Sequence, residues 1–73
     1  MTMSYGEQIL AARRRAGVSQ SAVARKAGIH PTAMVEIERG RVEISEAQYH
    51  RLMAAVTALE SAHEEAVSAG GRA

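Results

Sequence analysis

Side chains suited to catalysis or metal binding are sparse in this sequence of 73 residues. Three histidines are present and cysteine is absent, so neither a disulfide framework nor a cysteine-based zinc site can form. His63 and Glu64 begin a zinc-binding His-Glu-x-x-His pattern, but its last position is Val67. The sequence also lacks a glycine-rich phosphate loop. We therefore expect a protein that is not an enzyme, with no catalytic residue, no metal and no cofactor.

The charged side chains offer a different chemistry, which is attraction of a polyanion. The net charge is only +1, but residues 1–42 hold seven basic and three acidic side chains, a net charge of +4, whereas residues 43–73 carry −3. A basic half is typical of a surface that faces nucleic acid, and an acidic half of one that faces solvent or a partner. Charge alone leaves open the alternative that mixed charges only solvate a helical surface.

The most informative spacing lies in residues 20–37. With Gln20 counted as 1, Ala24, Gly28, Met34 and Ile37 stand at positions 5, 9, 15 and 18. Two helices that cross at a steep angle and are joined by a short turn need these residue types at these positions. The small residue allows close approach, the glycine adopts a positive φ at the end of the first helix, and the two apolar residues fix the second helix to the core.

This stretch resembles the helix-turn-helix of the phage-repressor-like DNA-binding proteins, the XRE or Cro/C1 type, and the resemblance extends from about Tyr5 to Leu59. It implies a dimeric, sequence-specific regulator of transcription that binds double-stranded DNA at a palindromic operator, with half-sites about 34 Å apart. Its class would be that of repressors or autoregulators of mobile elements, antitoxins or restriction controllers. The alternative is a protein-interaction module that binds a protein partner through the outward face of helix 3.

Capping signals delimit the first two helices. Ser4 and Glu7 form the pattern of a capping box, and the helix that they open ends at Gly17. Ser19 is a suitable N-cap for the next helix, over about residues 20–27, which stops at Gly28.

Two further helices follow. His30-Pro31 starts the third, because Pro is favoured at the first helical position, and Gly40 ends it. A second capping box at residues 45–48 opens a long helix that runs to about Ser68, before Gly70-Gly71. No segment alternates for long enough to build a sheet. The predicted class is all-α, a compact four-helix-type helix-turn-helix domain with a long C-terminal helix.

The outward face of the third helix enters the major groove in proteins of this fold. At 100° per residue this face presents Thr32, Val35 and Glu36, with Pro31 at its edge, and these four residues are the expected base contacts. Thr can bond a base edge, Val can pack on a thymine methyl group, and Glu can accept from cytosine N4. The alternative is that they are ordinary surface positions, although a β-branched apolar residue gains little in open solvent.

Phosphate contacts are expected at the start of helix 2, whose free backbone N–H groups favour an anion. Ser19 and Gln20 lie there, and Ser19 also has the role of a helix cap, whereas the sequence gives Gln20 no comparable structural role. The resemblance implies that Gln20 bonds a phosphate, as do residues of the loop after helix 3, where Arg39 and Arg41 are found.

The resemblance also implies a structural salt bridge between Arg13 and Glu38. In the family the corresponding pair is partly buried and joins helix 1 to the end of helix 3. Its role is expected to be structural, and removal of one partner of such a pair typically costs about 3–5 kcal/mol when the pair is fully buried.

The long last helix carries a heptad seam with 3-4-3-4-3 spacing, formed by Tyr49, Leu52, Val56, Leu59, His63 and Ala66. Its first three members are expected in the core, but beyond Leu59 the chain exceeds what a four-helix unit needs. We therefore expect a helix-turn-helix domain over residues 1–59, and a helix extension with a frayed tail over residues 60–73. The candidate dimer interface comprises Leu59, Ala62, His63 and Ala66, and the alternative is an amphipathic tail lying on the surface.

The composition limits the size of the hydrophobic core and indicates where in the cell the protein is expected. Fifteen residues are Ala, and Phe and Trp are absent, so the core of this single domain is lean and would profit from dimer formation. The first residues are not followed by the basic and apolar regions of a signal peptide. No apolar run approaches the length that is needed to cross a membrane. We expect a cytoplasmic, nucleoid-associated protein without a membrane partner.

Overall fold

The computed structural model of the protein describes the backbone of residues 3–70 and the side chains of residues 3–62. Along this part of the chain there are four helices and no strand: α1 (Tyr5–Ala16), α2 (Gln20–Ala27), α3 (Pro31–Glu38) and α4 (Glu46–Gly70). The predicted all-α class and the long C-terminal helix are confirmed.

The first two helices begin and end as their capping signals predict. The Ser4 hydroxyl accepts from the Glu7 N–H at 3.2 Å, and the Glu7 carboxylate accepts from the Ser4 N–H at 3.1 Å. The Ser19 hydroxyl accepts a first-turn N–H of α2 at 3.1 Å. Gly17 and Gly28 follow the two helices with φ of 71° and 74°, a conformation that is free of Cβ strain only for glycine.

The start of α3 has a cap that the sequence analysis did not identify. His30 Nδ1 accepts a hydrogen bond from the Thr32 N–H at 3.1 Å, while Pro31 takes the first helical position as predicted. The helix ends at Glu38, and Gly40, with φ of 77°, reverses the chain. The imidazole therefore does for α3 what a serine hydroxyl does for α1 and α2.

The N-terminus of α4 carries the second predicted capping box. The Ser45 hydroxyl accepts from the Gln48 N–H at 3.1 Å, and the Gln48 side chain accepts from the Ser45 N–H at 3.4 Å. The helix continues to Gly70, slightly beyond the expected end, and the predicted tail at residues 71–73 lies outside the described residues. The expected domain boundary at residue 59 falls inside this continuous helix and stays a prediction.

The core lies where the four helices meet. The first three helices contribute the buried residues Ile9, Val23, Ala24, Met34 and Ile37. α4 covers them with its own buried residues, Leu52, Ala55 and Val56. The Tyr49 ring stacks on the Tyr5 ring with centroids 4.3 Å apart, and the Tyr49 hydroxyl donates to Gln8 at 2.9 Å. The seam predicted in the first half of α4 is therefore the core-facing side of this helix.

α1 and α3 cross in backbone contact at Gly6. A Cβ atom on Gly6 would collide with the carbonyl oxygen of Ile37. The sequence pattern placed Gly6 inside a capping box and gave no sign of this crossing. The glycine lets α1 lie directly against the end of α3, which brings the first helix beside the segment that carries the functional candidates.

The four residues predicted for a dimer interface divide between different environments. Leu59 is partly buried and packs against the core of its own domain, whereas Ala62 is exposed. His63 and Ala66 lie on the described backbone of α4, but their side chains are outside the described residues. None of the helices within residues 3–70 is both long enough and apolar enough to cross a membrane.

Candidate nucleic-acid interface

A buried carboxylate lies at the centre of the candidate interface. Glu38, the last residue of α3, is only 5% exposed. Arg13 of α1 donates to both of its oxygens, from Nε to Oε2 at 2.8 Å and from Nη2 to Oε1 at 2.9 Å. A third donor of the same guanidinium reaches the Val18 carbonyl at 3.2 Å. The hydrogen bond to Glu38 raises the pKa of Arg13 above its usual value, so the guanidinium stays charged.

Gln20 is held by the same carboxylate. Its Nε2 donates to Glu38 Oε1 at 2.9 Å. The expectation that Gln20 has no structural role is therefore wrong, because this bond ties the first residue of α2 to the last residue of α3. The interaction uses one of the two hydrogens on Nε2, and the other hydrogen and the amide oxygen stay available to a ligand.

Two backbone N–H groups at the start of α2 are suited to an anion. The first bond along the helix runs from the Val23 N–H to the Ser19 carbonyl at 3.1 Å, and the Ser19 hydroxyl takes the Ala22 N–H. The N–H groups of Gln20 and Ser21 precede these bonds. Groups at this end of a helix carry the positive end of the helix dipole and bind phosphate oxygens well.

α3 turns one face to the core and another to solvent, as its periodicity predicts. Met34 and Ile37 are buried, whereas Pro31 and Thr32 are exposed. The other two expected base contacts, Val35 and Glu36, are partly buried.

A cleft of about 230 Å³ joins these features. It lies between α1, the start of α2 and the end of α3, and its lining consists of Leu10, Arg13, Arg14, Gln20, Val35, Glu38 and Arg39. Arg14 and Arg39 are exposed at this cleft, while the carboxylate of Glu38 is already occupied by Arg13 and Gln20. The cleft thus presents two exposed basic side chains and two apolar side chains, Leu10 and Val35, beside the N-terminus of α2.

The loop after α3 places a second arginine close to an acidic side chain. Arg39 and Arg41 are both exposed, as expected for residues that bind phosphate. Arg41 Nη1, however, lies 3.7 Å from Glu36 Oε2. The sequence analysis assigned these two residues to separate contacts, and the structure brings them together.

An apolar groove of about 450 Å³ lies apart from this cleft, between the start of α1 and the linker that precedes α4. Met3 and Val42, 46% and 49% exposed, are its large apolar rim residues, and Tyr5 and Ile44 also line it. The sequence analysis did not identify this groove, since its residues come from two segments that are distant along the chain.

Comparison with protein families identifies the class of this domain. Residues 4–66 match the family described as "Helix-turn-helix domain". The chain therefore belongs to this helix-turn-helix family, which is consistent with the XRE-like resemblance and indicates a DNA-binding regulator. Families of this kind are typically non-enzymatic. Comparison with curated proteins and with solved structures gives no match.

The side chains described by the structure add one further observation. Within residues 3–62, no group of three or more His, Cys, Asp or Glu side chains is placed to hold a metal ion.

Proposed function

We propose that this protein is a sequence-specific regulator of transcription that binds a palindromic operator as a dimer and acts as a repressor or autoregulator in the nucleoid. The cleft between α1, α2 and α3 carries the proposal. It groups the first residue of α2 with Val35 of α3 and with Arg39, which directly follows α3. An anion site and the outward face of the second helix of the motif are thereby adjacent, as binding along a DNA groove requires.

Phosphate binding falls to the start of α2 and to the end of α3. Ser19 and Gln20 would contribute the helix N-terminus, with the Gln20 amide oriented by Glu38 at 2.9 Å. Arg39, which lines the cleft, and Arg41, two residues further along the loop, would supply positive charge, and both are exposed. These contacts position the domain on the duplex and carry no sequence information by themselves.

Base recognition falls to Pro31, Thr32, Val35 and Glu36 in the first two turns of α3. Thr32 is exposed next to the N-terminal cap, and Val35 and Glu36 follow one turn later, partly buried. A hydroxyl, a methyl-bearing side chain and a carboxylate recognise different base edges in the major groove. The combination would select a short half-site.

Dimerisation would give the protein two such half-sites. We assign the interface to the C-terminal part of α4, with Leu59, at the edge of the core, and Ala62, His63 and Ala66 as its candidate residues. Support comes from the length of α4, 25 residues. Its buried positions Leu52, Ala55 and Val56 lie in the first half, and none of the described side chains that follow, residues 57–62, is buried.

The alternative function is a protein-interaction module that uses the α3 face. One observation favours it: with Glu38 buried against Arg13, the outward face of this helix carries the carboxylate of Glu36, and the helix contains no basic side chain. A negatively charged helix is repelled by phosphate unless each carboxylate has a partner.

Selection from a randomised double-stranded DNA library separates the two functions. The regulator should enrich a palindromic site, and its affinity should fall steeply with salt because bound phosphates release counterions. Absence of enrichment, together with no retention of DNA at low salt, would contradict the regulator and leave the protein-interaction module.

A further inference from the structure

Glu36 and Arg41 are brought together by the turn that ends α3. Gly40 adopts φ of 77° and reverses the chain. The Arg41 N–H then donates to the Glu36 carbonyl at 3.0 Å, so the two residues are joined through their backbones. Their side chains lie side by side as a result, with Arg41 Nη1 3.7 Å from Glu36 Oε2.

The two carboxylate oxygens of Glu36 differ in their surroundings. Oε2 is shielded from solvent and accepts no hydrogen bond within the described residues, although the side chain as a whole is 33% exposed. A shielded carboxylate oxygen without a donor is costly, and in native proteins such an atom calls for a specific explanation. The guanidinium of Arg41 is the cation beside it, slightly beyond hydrogen-bond distance.

We propose that Glu36 and Arg41 act as one base-reading unit, in which Arg41 holds Oε2 and Oε1 accepts a hydrogen bond from the exocyclic amino group of a cytosine. The proposal rests on the DNA-binding function proposed above and names the chemistry that one position of the operator must offer. Arg41 is a positioning residue in this arrangement, since it acts through Glu36. This role replaces the phosphate contact proposed for Arg41 above, and Arg39 keeps its phosphate contact.

The pairing explains how a carboxylate is tolerated on a helix that enters the major groove. Unpaired, Glu36 would be repelled by the phosphates on both sides of the groove. With Arg41 beside it the unit carries no net charge, and the acceptor oxygen keeps one orientation. Cytosine is the base that presents an N4 amino donor in the major groove without the N7 acceptor that adenine places beside its own amino group. N7 would face the carboxylate unfavourably.

The test uses the full chain and the site enriched from the randomised duplex library. Glu36→Gln identifies the base pair that Glu36 contacts, and four duplexes that differ only at that pair are then compared. We expect Glu36→Gln and Arg41→Ala each to reduce discrimination for cytosine roughly tenfold, within the range for one good base contact. The double variant should lose no more than either single variant.

Arg39→Ala is the matched control, because Arg39 is also exposed at the end of α3 and has no assigned carboxylate partner. It should lower affinity for all four duplexes alike and reduce the slope of log affinity against log salt by about 0.9, with base preference unchanged. Circular dichroism should show all variants equally helical.

Three outcomes contradict the inference, and they are distinguishable. If Arg41→Ala behaves like Arg39→Ala, Arg41 is a phosphate contact and the unit does not exist. If the two losses of discrimination multiply in the double variant, the residues act separately. If no site is enriched from the library, the DNA-binding function itself fails, and the inference fails with it.

Discussion

Arg13 and Glu38 are joined by two parallel hydrogen bonds of 2.8 and 2.9 Å across 25 positions of sequence. The side chains are 14% and 3% exposed, so the pair is largely removed from water. A two-pronged contact between a guanidinium and a carboxylate also fixes orientation. Because Gln20 shares the same carboxylate, the pair links α1, α2 and α3 at the point where the candidate DNA contacts converge.

Removal of Arg13 should therefore leave an uncompensated charge inside the domain. We expect Arg13→Met to lower the free energy of unfolding by about 3 kcal/mol, measured by urea denaturation. Arg15→Met is the control, since Arg15 is exposed on the same helix and should change stability by less than about 0.5 kcal/mol. Combined with Glu38→Met, the two changes should couple by about 1 kcal/mol or more. Additive losses would show that the pair contributes nothing as a pair.

Gln20 should affect both stability and DNA affinity. Gln20→Ala removes a hydrogen bond to a buried carboxylate, and such bonds contribute about 1.5–3 kcal/mol. The variant should also bind all DNA sequences more weakly by the same factor, as loss of a phosphate contact does. Ser21→Ala, an exposed neighbour, serves as the control for stability. A changed base preference in Gln20→Ala would place Gln20 among the base contacts instead.

Gly6 provides a test in which two physical effects have opposite signs. In a free helix Gly→Ala is stabilising by roughly 0.5–1 kcal/mol. Here the added Cβ would meet the carbonyl oxygen of Ile37, so we expect Gly6→Ala to destabilise the domain by about 1–3 kcal/mol, as overpacking does. Thermal unfolding followed by circular dichroism gives the sign directly. A stabilised variant would mean that α1 and α3 do not cross in backbone contact.

His30 should behave as a helix cap that other residues can replace. Loss of the Nδ1 acceptor in His30→Ala should cost about 1 kcal/mol. His30→Asn keeps a short acceptor and should equal or exceed the stability of the natural chain, because Asn ranks among the best N-caps. Urea denaturation of both variants measures the effect. If both variants lost the same free energy of unfolding, the imidazole of His30 would not act as the N-cap of α3.

The four helices could be predicted from local sequence signals, whereas the contacts between the helices could not be predicted from such signals. The capping boxes at Ser4 and Ser45 and the glycine after each of the first two helices involve residues within one helical turn. Sequence spacing therefore predicts them. The contact of Gln20 with Glu38 spans 18 residues and depends on how α2 is placed against α3. The periodicity of apolar residues along the sequence does not specify how one helix is placed against another.

The candidate site shows the same division. Helical periodicity separates the buried Met34 and Ile37 from the outward Thr32, because both faces are set by one helix. The pairing of Glu36 with Arg41 arises from the chain reversal at Gly40, which an assignment by helix face does not contain. Gly40 itself was a usable signal, since a glycine just after a helix commonly directs the next residue back over the last turn.

The structure allows a more specific test of the predicted dimer interface. Leu59 packs against its own core, so a charge at that position would disturb the fold as well as an interface. Ala62 lies one turn further on and is exposed, so we expect Ala62→Glu to keep the free energy of unfolding of the monomer while weakening the dimer. Thr57→Glu, also exposed on α4, is the control.

Sedimentation of the full chain and of the two variants measures the effect. The natural chain and Thr57→Glu should sediment as dimers, and Ala62→Glu as a monomer with little operator affinity, because one half-site supplies too few contacts. Deletion of residues 60–73 should give the same result as Ala62→Glu, since it removes the proposed surface. A dimer that persists in both would place the contact elsewhere, and the groove between Met3 and Val42 is then an apolar surface, among the described residues, that a second copy could cover.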